Sequence, residues 1–149
     1  MSGSAASMSA AVSAVLEDYL EAIAELGGTS CTVRSRDIAA RLRVHKSTVT
    51  AALHSLAEKG LVHYAPYAAV SLTAAGREVA EEVCRRHRVL RRFLGNNLGM
   101  DAVGADETAC RLEHAVDPEC LDRLLRLGEF LESSAEWRAW AGRGGGSAG

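Results

Sequence analysis

The chain has 149 residues, 48% of them hydrophobic and 24% charged, with a formal net charge of −2. That is enough chain for one domain or two small ones. No apolar run approaches the ~20 residues that span a bilayer, and two prolines with 5% aromatics speak against a β-sandwich; Ala, Leu, Arg and Glu dominate and favour helices.

Residues 1–11 are small and polar, without the basic start and apolar core of an export signal, and 1–10 read as a disordered leader. Over residues 11–26, Val12, Val15, Leu16, Leu20, Ile23 and Leu26 recur at helical spacing, and Gly27-Gly28 stops that helix. Residues 35–42 make a short helix with Ser35 as its N-cap. Arg43-Val44-His45 is a tight connection into a third helix from Lys46 to Lys59, with Val49, Ala52, Leu53 and Leu56 inward and Gly60 at its end. Two short β-prone runs follow, Leu61–Tyr64 and Val70–Leu72, around the turn Ala65-Pro66-Tyr67-Ala68-Ala69. Thr73 caps a long helix that ends near Asn96-Asn97. Gly99 to Gly104 is a break, 105–115 and 118–132 are two further helices, and the end of the chain is a flexible low-complexity tail.

Charge is segregated along the chain. Residues 29–67 carry six bases against two acids, whereas 101–136 carry ten acids against three bases. A basic block between acidic ones suggests a polyanion-binding unit joined to something else. The four cysteines, at 31, 84, 110 and 120, show no CxxC pair, so neither a disulfide framework nor a cysteine zinc site is expected.

Helix, helix, tight connection, helix and then a two-strand hairpin is the order of a winged helix-turn-helix, whose second helix enters the major groove while the wing reaches the backbone. The expected recognition helix opens His45-Lys46-Ser47-Thr48-Val49-Thr50. His45, Lys46, Ser47, Thr48 and Thr50, with Arg34 and Arg36 nearby, offer the cations and hydroxyls that phosphates and base edges require.

A second constellation lies mostly outside the basic block. Asp18 and Glu21 are three apart and share one helix face; His87 lies in the long helix; Cys110, Glu113 and His114 stand at i, i+3 and i+4. A thiolate, three carboxylates and two imidazoles are a donor set for one divalent transition ion, or two close together. Each residue alone also fits an ordinary solvated or packed position.

Leu16–Ile23, Asp37-Ile38-Ala39, Ser47–Thr50, Leu56–Val62, Leu72-Thr73, Arg86-His87-Arg88, Leu94, Leu98-Gly99 and Ala109–His114, in this order, resemble the diphtheria-toxin-repressor family of metal-dependent transcriptional regulators across about residues 14–132. The resemblance implies a homodimer with an N-terminal winged helix and a helical metal-binding and dimerisation region, in which bound metal favours a DNA-binding geometry on operators near metal-uptake genes. Asp18 and Glu21 match the acidic pair of the family's manganese-sensing branch, Cys110 matches the iron-sensing branch, and His87, Glu113 and His114 match both. The iron branch's auxiliary metal site is not supported, because Arg91 stands where it has a carboxylate and Asp106 where it has His. Lys46 replaces a common proline, Ala68-Ala69 replace a frequent basic or glycine wing tip, and the SH3-like third domain of longer members is not expected.

The expected architecture is therefore mainly α: a leader at 1–10, a winged-helix DNA-binding domain at 11–73, a helical metal-binding and dimerisation domain at 74–136 and a tail at 137–149. The expected cofactor is Fe²⁺ or Mn²⁺, with Zn²⁺ and Co²⁺ able to bind in vitro. The expected partners are a double-stranded DNA operator and a second copy of the chain, with no membrane, in the cytoplasm. Two rivals stand beside this reading: a winged-helix regulator that senses oxidants or a small molecule through Cys110 or Cys84, and, more remotely, a metallohydrolase, for which no substrate domain is evident.

Overall fold

The structure, a computed structural model, describes residues 12–143; the leader at 1–10 and the last part of the expected tail lie outside them. The chain divides into two compact units, Met1–Val83 and Cys84–Gly149.

In the first unit, α1 spans Ala14–Gly27, with the Ser13 hydroxyl accepting from the Leu16 N–H as its cap. It buries Tyr19, Leu20, Ala22 and Ile23 and leaves Val15 63% exposed. Of the expected stripe, Leu20 and Ile23 are buried and Val12 and Leu16 pack against the core, whereas Val15 and Leu26 lie exposed. A single 3-10 turn, Gly28–Ser30, leads towards α2 (Ser35–Leu42). Ser35 is the first helical residue and not the cap: Arg34 holds the cap position, and no side chain bonds the free N–H groups there. Arg43 adopts a left-handed conformation at φ 55° and turns the chain within three residues into α3 (Lys46–Glu58).

Strands β1 (Val62–His63) and β2 (Ser71–Leu72) pair antiparallel, with Val62 opposite Leu72, and Val33 bridges Val70 to extend the ladder. Both strands are shorter than their β-prone runs. Ile38, Val49, Leu53, Leu56, Leu61 and Val70 close one hydrophobic core with the α1 residues.

Helix α4 (Ala74–Arg92) carries the boundary between the units. Thr73 caps it as expected, its hydroxyl accepting from the Gly76 N–H at 3.0 Å and donating to the Gly60 carbonyl at 2.7 Å. Gly76 is required here by close approach, because any Cβ would fall on the Leu61 carbonyl. Gly76→Ala is expected to cost about 1–3 kcal/mol through overpacking against backbone that cannot yield, read as a lower urea midpoint with an unchanged slope.

In the second unit the chain widens after Arg92 into a π turn, Phe93–Asn97, so the long helix does not stay α-helical to Asn97. Helix α5 spans Ala102–Leu112 and starts inside the expected Gly99–Gly104 break, because the Asp101 carboxylate accepts from the N–H groups of Val103 and Gly104. Helix α6 (Pro118–Ser133) has Pro118 in its first turn and Asp117 as its cap. Leu90, Leu94, Ala105, Ala109 and Leu121 form a second core. Residues 135–141, partly expected as tail, form α7 (Ala135–Ala141), capped by Ser134 and bearing stacked Trp137 and Trp140. Gly99, at φ 70°, lets the backbone of Ala141 approach so closely that no side chain fits between them. No helix among the described residues is long and apolar enough to cross a membrane.

Candidate metal centre and nucleic-acid interface

The expected ligands fall into two groups. Asp18 and Glu21 lie one turn apart on α1 in the first unit, both half-buried. His87, Cys110, Glu113 and His114 belong to the second unit, where α4 supplies His87 and α5 with its C-terminal turn supplies the rest.

In that second unit, Glu113 is 1% exposed and its carboxylate faces imidazoles on both oxygens. Oε2 lies 2.7 Å from His87 Nδ1, and Oε1 lies 3.4 Å from His114 Nε2. Cys110 Sγ is 3.7 Å from the same His87 Nδ1. One donor atom each from His87, Cys110 and Glu113 falls within 4.8 Å of the others. A buried carboxylate is costly unless paired, and here its partners are themselves metal-ligand types with a thiol beside them. The residues present thus suit a divalent transition ion of borderline softness.

The other ring nitrogen of His87, Nε2, is 3.0 Å from Asp106 Oδ1. Burial by itself would lower the pKa of His87, but the hydrogen bonds to Asp106 and Glu113 and their negative charges outweigh it and hold the pKa above the ordinary histidine value. With the folded pKa raised over the unfolded one (~6.5), the stabilisation is fully present below the unfolded pKa and is lost as pH rises through the folded pKa. In metal-free protein the His87 ring should therefore titrate above an ordinary histidine by NMR, and Tm should fall as pH is raised through that value. A His87 midpoint at or below ~6.5 contradicts the assignment.

The DNA-facing candidates lie together in the first unit. Arg34, Arg36, His45, Lys46, Ser47 and Thr48 are exposed and Thr50 is half-buried. Thr50 turns its hydroxyl back onto the Lys46 carbonyl at 3.1 Å. A cavity of about 650 Å³ lies between α3 and the turn joining β1 to β2, lined by Arg34, Arg36, Lys46 and Thr50 and also by His54, Tyr64, Pro66 and Tyr67. The last four were not among the expected contacts. His54 and Tyr64 meet edge to face at 5.2 Å. Tyr67 stands fully exposed at the wing tip with φ 64°, a conformation that a bulky side chain rarely adopts. The signal for it was present in the chain: an aromatic directly after the wing proline.

A family model described as "Iron dependent repressor, N-terminal DNA binding domain" matches residues 11–70, and one described as "Iron dependent repressor, metal binding and dimerisation domain" matches residues 73–136. The chain belongs to the iron-dependent repressor family. It is a metal-dependent DNA-binding regulator, and the family is one of transcriptional repressors, not of enzymes. The transcriptional regulator MntR of Escherichia coli is 38% identical over 108 residues, which cover 72% of this chain and 69% of MntR. The diphtheria toxin repressor of Corynebacterium glutamicum is 33% identical over 118 residues, covering 79% of this chain and 52% of that one. A solved manganese-dependent transcriptional repressor in complex with manganese superposes with a TM-score of 0.70 at 35% identity, over 77% of this chain and 53% of its own. The chain thus spans about half the length of this structure and of the diphtheria toxin repressor. Members of the family bind DNA operators and dimerise, and iron or manganese is the metal on which they depend.

Proposed function

We propose that this chain is a cytoplasmic transcriptional repressor that takes Fe²⁺ or Mn²⁺ as corepressor and binds, as a homodimer, a double-stranded operator near metal-uptake genes. The convergence of His87, Cys110 and buried Glu113 carries this reading. Asp18, Glu21 and His114 complete the proposed ligand set; the two acids enter it on the family resemblance. A divalent cation would supply there the charge that offsets the carboxylates. Leu127 and Phe130 on α6, which the fold of one chain leaves exposed, support a surface for a second copy.

Arg34, Arg36 and Lys46 serve the phosphates, and His45, Ser47, Thr48 and Thr50 lie on the first turns of the reading helix. Each neutralised phosphate adds about −0.9 to the slope of log affinity against log salt. Lys46→Ala should weaken operator binding and flatten that slope by about 1.8 for a dimer; an unchanged slope places Lys46 off the DNA. The decisive experiment for the whole reading titrates operator binding by the apoprotein with Mn²⁺, Zn²⁺ and, anaerobically, Fe²⁺. Metal-stimulated binding supports it. Metal-independent binding that is lost on oxidation overturns it in favour of a thiol sensor.

A further inference from the structure

His87 and Arg91 stand four apart on α4, and Asp106 and Cys110 stand four apart on α5. The two helices thereby face each other through four side chains. One contact across this group of four, Cys110 to His87, is part of the proposed centre. The remaining members, Asp106 and Arg91, have no place in it. Yet Asp106 Oδ1 accepts from His87 Nε2 at 3.0 Å and lies 3.6 Å from Arg91 Nε.

We propose that Asp106 is a positioning residue: it holds the proton of His87 on Nε2 and fixes the plane of the ring, so that Nδ1 is the nitrogen turned towards Glu113 and Cys110. This rests on the metal-centre reading above. A neutral imidazole has one donor and one acceptor nitrogen, and whichever is hydrogen-bonded as donor is lost as a ligand. Nδ1 sits 2.7 Å from Glu113 Oε2, a hydrogen bond that a bound cation would replace, and 3.7 Å from Cys110 Sγ, within the donor cluster, whereas Nε2 lies outside that cluster, 3.0 Å from the Asp106 carboxylate. Metal-ligating histidines commonly donate their second N–H to a carboxylate, which sets tautomer and orientation and strengthens the ligand.

The exposures agree with this division of labour. The His87 side chain is 16% exposed and gains from being held, whereas Asp106 is 51% exposed, so an isolated ion pair to Arg91 would contribute little to stability. Arg91 Nε lies 3.6 Å from the same Asp106 oxygen and keeps positive charge beside it. Where the iron branch of the family has ligands for a further cation, this chain places a guanidinium and the carboxylate it pairs with.

The test compares wild type, Asp106→Ala and Asp106→Asn. The first readout is the ¹⁵N shifts of the His87 ring in Zn²⁺-loaded protein, which show which nitrogen takes the metal and which keeps the proton. Wild type and Asp106→Asn, whose amide oxygen still accepts, should keep the proton on Nε2 and offer Nδ1; Asp106→Ala should show a mixture of the two. The second readout is affinity for Mn²⁺ alone by chelator competition, expected to fall about 10–100-fold in Asp106→Ala and to recover in Asp106→Asn. Because Asp106 is half-exposed, all three proteins should unfold at similar temperatures. An unchanged ring pattern or an unchanged affinity in Asp106→Ala overturns the assignment. Absence of Mn²⁺ and Fe²⁺ binding in wild type sinks the metal centre itself, a result distinct from either.

Discussion

Glu113→Gln should abolish the stimulation of operator binding by metal while leaving the dimer and helix content in place. Glu113 is the best-buried polar side chain of the second unit's cluster, and both its oxygens face imidazoles. The amide keeps the volume and one acceptor but removes the charge and turns half the group into a donor, which an imidazole N–H and a cation both reject. By linkage, a corepressor shifts DNA affinity only by its preference for the DNA-competent state, typically ~1–3 kcal/mol or 5–150-fold. That whole factor is at stake, whereas basal affinity without metal should change little. Fluorescence anisotropy on an operator fragment, with and without saturating Mn²⁺, reads the factor; sedimentation and circular dichroism read the dimer and fold. A variant that responds to metal as wild type does would mean that the buried carboxylate serves only to pair with histidine.

The second large effect concerns which metal is read. Cys110→Glu should move activation towards Mn²⁺ and away from Fe²⁺, by about tenfold in their ratio, or ~1.4 kcal/mol. The thiol is the one soft donor among carboxylates and imidazoles, and softness separates these ions at a site of given geometry. Cys110 is exposed on α5, so the longer side chain has room. Half-maximal activation by each metal, measured anaerobically on one operator, gives the ratio. An unchanged ratio would remove Cys110 from the ligand set and leave the choice of metal to Asp18 and Glu21.

How much of this was legible in the chain varies with the range of the interaction that decides it. Helix α2 is found at its expected residues, 35–42, although Ser35 is not its cap, and α6 ends within one residue of expectation, because helical periodicity is a local signal. The start of α5 was misread because Gly99 and Gly104 look like loop, whereas Asp101 caps the helix and draws the Gly104 N–H into that cap. The π turn was not legible at all: Asn97 is buried and bonds the Gly128 carbonyl, a contact that depends on how α6 packs. Helix α7 was missed because seven residues before a glycine tract have little intrinsic helicity; its Trp stack and the Gly99 approach are tertiary. In the metal centre, His87, Cys110, Glu113 and His114 stood out by residue type. Asp106 stood out only as a mismatch to a known site, since its bond to His87 needs the register of α4 against α5.

The wing tip sets folding against reach. A tyrosine at φ 64° carries backbone strain of the order of 1–3 kcal/mol, and with its ring wholly in solvent it recovers nothing from burial. In a domain whose total margin is only ~5–15 kcal/mol, that is a noticeable fraction held at a position the core does not use. Glycine would relieve the strain and at the same time remove the fully exposed aromatic ring from the lining of the Arg34–Arg36–Lys46 cavity. Selection for stability alone would thus favour a residue other than the one present, and the wing is where ease of folding and capture of a duplex would pull the chain in opposite directions.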